Sequence, residues 1–331
     1  MKVISNRVKR QTLFTAFAVV GAAIGFTQIA SAQTFPSKTI KIVVPFGAGG
    51  VADLTARAIS QKLSESLGQS VVVENKPGAG GVVAGNTMIT AEADGHTLLL
   101  ISNATAVSSG LFKSLPFDAQ KDFTPISTLA YFDMALITGA QSKFATGQEL
   151  IAYAKANPGK LNIGSINIGS TQNLAAELFK TTANIEGQVI PYNGTPAVVT
   201  ALRSGDIDVA VEILGPVMGQ INSKALRPLA VLNDKRSSSL ADIPTSREVG
   251  INNFLVSSWN GLAVSAKTPK DIVARLNKEI VAALNSPDLK KKLAELNVEA
   301  RSSTREQAAD LLARETKRWG EVITRAKIEK Q

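Results

Sequence analysis

Short hydrophobic runs recur along the chain, and glycine-rich turns separate them from segments with helical spacing of apolar residues. The runs are rich in Val, Ile and Leu, which is typical of buried strands. They predict strands at 39–44, 69–74, 97–101, 160–165, 188–191, 207–213 and 226–232, with a further extended stretch at 254–265. Between them, the spacing predicts helices at 53–67, from the turn at 76–81 through 91, at 172–182 and at 195–203.

The strands and helices alternate in two sets, one on each side of the middle of the chain. Alternating β and α elements predict mainly parallel sheets, with ligands at the carboxyl ends of the strands. No Pro/Ser-rich linker separates the sets, so we expect an α/β protein of two lobes between which the chain crosses more than once. Such a chain forms a cleft with a hinge.

Two capping signals mark helices in the C-terminal part. Thr268-Pro269 is expected to cap and open one helix, and Ser303 with Glu306 forms a capping-box pattern for the last one. The last helix is expected to end near Lys327.

The N-terminus has the pattern of an export signal. Its basic residues are Lys2, Arg7, Lys9 and Arg10, with no acidic residue among them. An apolar segment at 13–26 and the small-residue site Ala30-Ser31-Ala32 follow, which predicts a cleaved signal peptide at 1–32 and a mature N-terminus at Gln33. A membrane anchor that stays attached is the alternative.

The chain contains no cysteine and one histidine, His96. Without a cysteine the mature N-terminus cannot be acylated, so we expect a protein free in the periplasm and not a lipoprotein. The same composition argues against thiolate nucleophiles, disulfides and sulfur- or multi-histidine metal sites. We expect no metal, no cofactor and a monomer.

The charge balance becomes modest once the signal is removed. Of 36 Lys and Arg residues, four lie in the signal, which leaves 32 against 27 Asp and Glu. A surplus of five without a basic run does not indicate nucleic-acid binding, although it is compatible with small anionic ligands.

The glycine turn after the first strand is open to three interpretations. Residues 47–52 fit the G-x-G-x-x-A pattern, and Glu74 ends the second strand, as in dinucleotide-binding folds. Export argues against that interpretation, because the periplasm holds no dinucleotide pool. Gly49 and Gly50 can instead present backbone N–H groups to an anion at a helix N-terminus, or serve chain reversal alone. Asp53 is then an N-cap or a first-turn acid.

A hydroxyl-rich turn in the second set repeats this arrangement. Ser165, Gly169, Ser170 and Thr171 stand at a strand-to-helix junction. Each hydroxyl alone is as compatible with helix capping as with ligand binding. The recurrence of this strand-to-helix arrangement in both lobes favours an anion held between two helix N-termini. Such a site binds a ligand without performing chemistry.

Glu212 lies on an otherwise apolar strand, where a carboxylate is normally partnered or at a cleft edge. It could accept a hydrogen bond from a ligand or belong to a hinge network. Aromatic residues make up 5% of the chain and are scarce at these motifs, which argues against sugar stacking.

The mature chain resembles the substrate-binding receptors of tripartite tricarboxylate transporters, often called Bug proteins. The matching segments include 44–50 with Asp53, 67–81, 93–99, 115–118, 121–126, 174–179, 191–194, 243–245 and 258–259. The resemblance implies a Venus-flytrap receptor that captures a small carboxylate, or a related amide or amino acid, and delivers it to membrane permease subunits. It places the first lobe at 33–132 with 255–331 and the second at 133–254.

The family's ligand-holding loops correspond to 46–53 and 165–171, and Ser102 to another ligand-facing position. The expected ligand-binding residues are therefore Phe46, Ala48, Gly49, Gly50, Val51, Asp53, Ser102, Ser165, Gly169, Ser170, Thr171 and Glu212. The chain departs from the family where Val51-Ala52 replaces hydroxyl residues, Asn173 a common histidine and Glu212 the usual aspartate.

Two other functions remain open at this stage. A binding protein of this kind could report ligand occupancy to a membrane sensor. A secreted hydrolase could use Ser165 or Ser170, although His96 lies in the other lobe and no plausible general base accompanies either serine.

Overall fold

The computed structural model describes residues 35–325 and 328–331. The expected signal peptide at 1–32 and the expected helix end at Lys327 lie outside the described residues. The strands are β1 Ile40–Val44, β2 Val71–Asn75, β3 Thr97–Ser102, β4 Phe123–Gly139, β5 Leu161–Ile166, β6 Gly187–Tyr192, β7 Val209–Ile213, β8 Leu226–Val231, β9 Ser257–Ser265 and β10 Glu299–Ala300.

Helices connect nearly all of these strands. They are α1 Val51–Leu67, α2 Val82–Thr90, α3 Asn103–Leu111, α4 Gly147–Ala156, α5 Thr171–Ala183, α6 Thr195–Ser204, α7 Leu214–Asn222, α8 Lys270–Asn285, α9 Pro287–Glu295 and α10 Arg305–Arg325, with 3₁₀ turns at Ala79–Gly81 and Ser238–Leu240. Every expected strand and helix is present, and those whose two ends lie in the described residues begin and end within a few residues of the expected positions. No helix in the described ranges is long and apolar enough to cross a membrane.

The strands form two sheets that share β4. In the first, the order is β2-β1-β3-β9-β4, with β10 also on β4; β1 runs parallel to β2 and β3, while β9 is antiparallel to both its neighbours. In the second, β6, β5 and β7 are parallel, and β4 pairs antiparallel with β7 and β8. The two sheets with their helices are the two lobes of a periplasmic-binding-protein fold.

The chain crosses between the lobes twice. Within β4, pairing passes from β9 to β7 at Asp133 and Met134, and the chain returns between β8 and β9. Asp133 links the two crossings, because its carboxylate accepts hydrogen bonds from Asn233 Nδ2 at 2.6 Å and Ser237 Oγ at 3.0 Å.

Both faces of the inner parallel strands β1, β3, β5 and β7 are largely buried, which explains their continuous hydrophobic runs. In β1, Ile40 and Ile42 belong to the same apolar cluster as Ile59 and Leu63 of α1. Val43, on the opposite face, belongs to a second cluster with Met88 of α2. This packing fixes the carboxyl ends of the strands, where the loops to α1, α3, α5 and α6 begin.

Two expected caps are wrong by one residue. Helix α8 begins at Lys270 with Pro269 at its N-cap, and the hydroxyl of Thr268 has no hydrogen-bond partner. Helix α10 begins after Thr304, which exchanges capping hydrogen bonds with Gln307. Ser303 is unavailable as a cap because its Oγ accepts the N–H of Thr128 in β4 at 2.9 Å.

Candidate ligand-binding site

The glycine loop of the first lobe, residues 45–50, lies directly against the second lobe. A Cβ atom placed on Gly47 would lie 2.6 Å from the carbonyl oxygen of Asn193, and one on Gly49 would lie 3.1 Å from the ring of Pro196. Only glycine permits this approach at Gly47, and Gly49 also has φ of +82°. The lobes are therefore in contact, and the structure represents a closed form.

A narrow cavity remains between the lobes beside this contact. Its volume is about 20 Å³. Its wall consists of Phe46, Gly47, Gly50, Val51, Ala52, Ser102, Ile166, Thr171, Gln172, Gly194, Thr195, Ile213, Ser258 and Asn260. None of these side chains ionises, so any charge selectivity must come from hydrogen bonds and backbone dipoles.

Five helices begin at the cavity wall. Val51, Thr171 and Thr195 are the first residues of α1, α5 and α6, while Ser102 and Ile213 are the N-caps of α3 and α7. The first N–H groups of a helix lack intrahelical partners and carry partial positive charge. Their convergence makes a site for an anion in which no Lys or Arg side chain is needed.

Asp53 shapes the glycine loop and does not line the cavity. Its Oδ2 accepts hydrogen bonds from Gly49 N–H at 3.0 Å and Arg57 Nε at 3.1 Å, and Arg57 Nη2 lies 3.0 Å from Oδ1. Burial favours the neutral acid, but Arg57 and the Gly49 N–H outweigh it and hold the pKa of Asp53 below its usual range. The carboxylate thus fixes the loop as a first-turn acid of α1.

The hydroxyl loop, residues 167–170, is held by its own side chains. Ser170 Oγ caps α5 by accepting the N–H of Asn173 at 3.1 Å, and it donates to the carbonyl of Ile166. Asn173 Nδ2 donates to Ser165 Oγ at 3.2 Å, and its Oδ1 accepts the N–H of Gly169. Ser165, Gly169 and Ser170 therefore support the loop, whereas Thr171 reaches the cavity wall.

Glu212 lies fully buried behind that wall. Its Oε2 accepts hydrogen bonds from Gln172 Nε2 at 3.4 Å, Thr195 Oγ1 at 3.3 Å and the N–H of Ile213 at 3.1 Å. Its Oε1 has no partner among the described residues. Burial outweighs these long hydrogen bonds and raises the pKa of Glu212 to about 7.

Hydrogen bonds join the two lobes beside the loops of the site. Thr171 Oγ1 lies 3.2 Å from Ser258 Oγ, and the N–H of Gly80 donates to the carbonyl of Ile168 at 3.2 Å. Ser102 contributes from the first lobe as the N-cap of α3, where its Oγ accepts the N–H of Ala104.

The structure brings part of the expected residue set to the cavity wall. Phe46, Gly50, Val51, Ser102 and Thr171 line it. The remaining expected residues stand behind the wall or within the supporting loops: Ala48, Gly49, Asp53, Ser165, Gly169, Ser170 and Glu212.

The wall also contains polar residues that the sequence did not single out. Gln172 comes two residues after Ser170, the last residue of the hydroxyl loop. Thr195 begins α6 after Gly194, a third strand-to-helix junction, and this junction could have identified Thr195 from the sequence. Ser258 and Asn260 lie on β9, and nothing in the local sequence distinguishes them from polar residues of an exposed strand face.

The fold and the cavity define a two-lobed periplasmic binding protein. The sequence profile described as "Tripartite tricarboxylate transporter family receptor" matches residues 55–328. Protein BugT of Bordetella pertussis is 34% identical over 311 residues, which cover 92% of this chain and 95% of BugT. The chain belongs to the tripartite tricarboxylate transporter receptor family.

Solved structures of similar proteins superpose on this chain over most of its length. The periplasmic binding protein BugD superposes with a TM-score of 0.86 at 29% identity, covering 90% of this chain and all of that one. Rpa4515 of R. palustris, solved with adipate, superposes with a TM-score of 0.85 at 30% identity, covering 89% of this chain and 99% of that one. MatC of Rhodopseudomonas palustris, solved with bound malate, superposes with a TM-score of 0.82 at 29% identity, covering 87% of this chain and all of that one.

Proposed function

We propose that this protein captures a small organic carboxylate in the interlobe cavity and delivers it to the permease of a tripartite transporter. The observation that carries the proposal is the convergence of five helix N-termini on a cavity without an ionisable side chain in its wall. Two family members of the same fold are solved with carboxylates, adipate and malate.

In this proposal, the glycine loop supplies backbone N–H groups from the first lobe, and Thr171 with Thr195 supplies N–H and hydroxyl groups from the second. Asp53, Ser165, Gly169 and Ser170 act by fixing the loops. A ligand held by both lobes stabilises only the closed arrangement. The permease would then recognise the joined surface of the closed lobes.

The proposed lobe limits are 33–132 with 255–331 and 133–254, in accord with the change of pairing at Asp133 in β4. We also propose export with removal of residues 1–32, which would place the receptor in the periplasm.

The geometry favours binding over the hydrolase alternative. Ser165 Oγ accepts a hydrogen bond from Asn173 Nδ2 at 3.2 Å, whereas His96 lies directly before β3 in the other lobe. His96 Nε2 accepts the N–H of Ser37, and Ser170 Oγ already donates to Ile166. Neither group is arranged as the base or nucleophile of a catalytic pair.

The test is mass spectrometry of small molecules released by denaturing protein purified from the periplasm of its own host. We expect a carboxylate in about equimolar amount, and the same compound should raise the Tm of the emptied protein. A preparation that releases no carboxylate, and whose Tm no carboxylate in a broad panel raises, would overturn the proposal. Loss of uptake in a deletion strain would establish the transport role.

A further inference from the structure

One amide in the cavity wall has no partner. Asn260 lies on β9 between Ser102 of β3 and Ala130 of β4, with 2% of its surface exposed. Its side chain makes no hydrogen bond to any other described residue, and its Nδ2 is fully enclosed. It lines the interlobe cavity together with Ser102 and Ser258.

Two other asparagines of the first lobe use their Nδ2 groups as donors, whereas Asn297 Nδ2, like that of Asn260, is enclosed without a partner among the described residues. Asn103, next to Ser102, donates from Nδ2 to the carbonyl of Ser257 at 2.9 Å. Asn277 donates from Nδ2 to the carbonyls of Ile126 and Ser303. A buried amide that gives up its water without gaining a partner disfavours folding. An acceptor that reaches Nδ2 from the cavity would supply the missing hydrogen bond.

We propose that Asn260 is a ligand-binding residue whose Nδ2 donates a hydrogen bond to an oxygen of the ligand. The site then selects, at its first-lobe wall, an oxygen acceptor such as a carboxylate over an ammonium group. This inference rests on the proposed function, because it assumes that the interlobe cavity is the ligand site. It adds a side-chain donor from the first lobe to the helix N-termini, which offer only backbone groups and hydroxyls.

The test compares Asn260→Leu and Asn260→Asp with the wild type by calorimetric titration with succinate, malate and adipate. Leucine has the same branching at Cγ as asparagine but is larger and has no donor, so binding should weaken about tenfold or more. Aspartate replaces the donor by a second anion, so it should weaken binding further at neutral pH. Binding to Asn260→Asp should recover at lower pH, because a protonated carboxyl group again has a hydrogen to donate.

Aminocarboxylates provide the selectivity readout. β-Alanine and 5-aminopentanoate match succinate and adipate with one carboxylate replaced by an ammonium group. The preference for the diacid over its amino counterpart should fall in Asn260→Asp. Asn222→Asp, which adds the same charge at an exposed position of α7, should bind as the wild type does.

A purely structural role predicts a different result. Because Asn260 has no partner, Asn260→Leu should keep or raise the Tm of the ligand-free protein. Wild-type affinity in both variants would overturn the assignment of Asn260 while leaving the proposed function in place. A lower ligand-free Tm with unchanged selectivity would also overturn it. A wild type that binds none of the three diacids would overturn this inference, whereas the proposed function would still stand on the ligand released from native protein.

Discussion

Thr171 and Ser258 join the two lobes through a hydrogen bond of 3.2 Å between their hydroxyl oxygens. Thr171 begins α5 of the second lobe, and Ser258 lies on β9 of the first; both are buried and both line the cavity. The hydroxyls that face the ligand site therefore also hold the lobes together. Closure and ligand binding share the same residues.

Thr171→Val should shift the protein toward the open form. Valine keeps the shape of threonine but removes the hydroxyl, so a neutral hydrogen bond worth about 1 kcal/mol is lost from the closed state alone. Affinity for the carboxylate should fall about fivefold, and the radius of gyration of the ligand-free protein should rise in X-ray scattering. Thr181→Val, at an exposed position of the same helix, should change neither quantity. Unchanged affinity in Thr171→Val would show that the bond does not contribute to closure.

Gly47→Ala should block closure without damaging either lobe. Its added Cβ would lie 2.6 Å from the carbonyl oxygen of Asn193, a distance that requires the lobes to separate. Gly47 does not have a positive φ, so alanine suits its backbone conformation. We expect at least a tenfold loss of affinity with a nearly unchanged free energy of unfolding.

The matched control is Gly219→Ala in α7, where an added Cβ meets no atom within 4 Å. Alanine in a helix interior is favoured over glycine by about 1 kcal/mol, so this variant should be equally or more stable and bind normally. Full affinity in Gly47→Ala would show that the observed contact between the lobes is not required for binding.

Glu212 should make stability depend on pH. Burial raises the pKa of Glu212 to about 7 in the folded protein, against 4.5 for an ordinary glutamate in the unfolded chain. The folded state therefore binds more protons between these values, and the free energy of unfolding falls as the pH rises through this window. The stabilisation by the neutral Glu212 side chain is fully present below pH 4.5 and lost above pH 7. Across this window the free energy of unfolding should fall by about 3 kcal/mol.

Glu212→Gln, which remains neutral, should lack this fall. In urea unfolding at pH 5 and pH 8, the free energy of unfolding of the variant relative to the wild type should be higher at pH 8 than at pH 5. Glu295→Gln, at an exposed position of α9, should follow the wild-type curve. A constant difference between wild type and Glu212→Gln at both pH values would mean that Glu212 ionises normally.

Asp53→Asn should loosen the glycine loop. The neutral amide weakens the contact with Arg57 and offers one acceptor where the carboxylate had two. The free energy of unfolding at pH 7 should fall by about 1–2 kcal/mol, and affinity should fall with it. Because the pKa of Asp53 is held low, the higher stability of the wild type should be present at pH values above the ordinary pKa of an aspartate. It should disappear as the pH falls below that value. Asp310→Asn, on the exposed face of α10, serves as the control, and equal stability of both variants would contradict a loop-fixing role.

The sequence predicted the strand-to-helix loops of the site because their signals are local. Glycines after a hydrophobic run and hydroxyls before a helix report on turns and caps within a few residues. Thus Gly50, Val51 and Thr171 were assigned to the correct junctions. Local signals cannot separate a hydroxyl that faces the ligand from one that supports its loop, and Ser170 and Thr171 differ in this respect.

The long strand β4 could not be predicted in the same way. Its 17 residues are almost entirely buried and serve two sheets in succession, so they show no alternation of apolar and polar positions. For a similar reason Ser258 and Asn260 gave no signal, since they reach the cavity only because β9 lies between β3 and β4. These positions depend on pairing between strands distant in sequence.

A crystal structure of the mature protein with its released carboxylate tests the central claim most directly. We expect the carboxylate to lie between Gly50, Thr171 and Thr195, within hydrogen-bond distance of N–H groups at helix N-termini of both lobes. A ligand bound outside this cavity, or an empty cavity at saturating ligand, would contradict the proposed site.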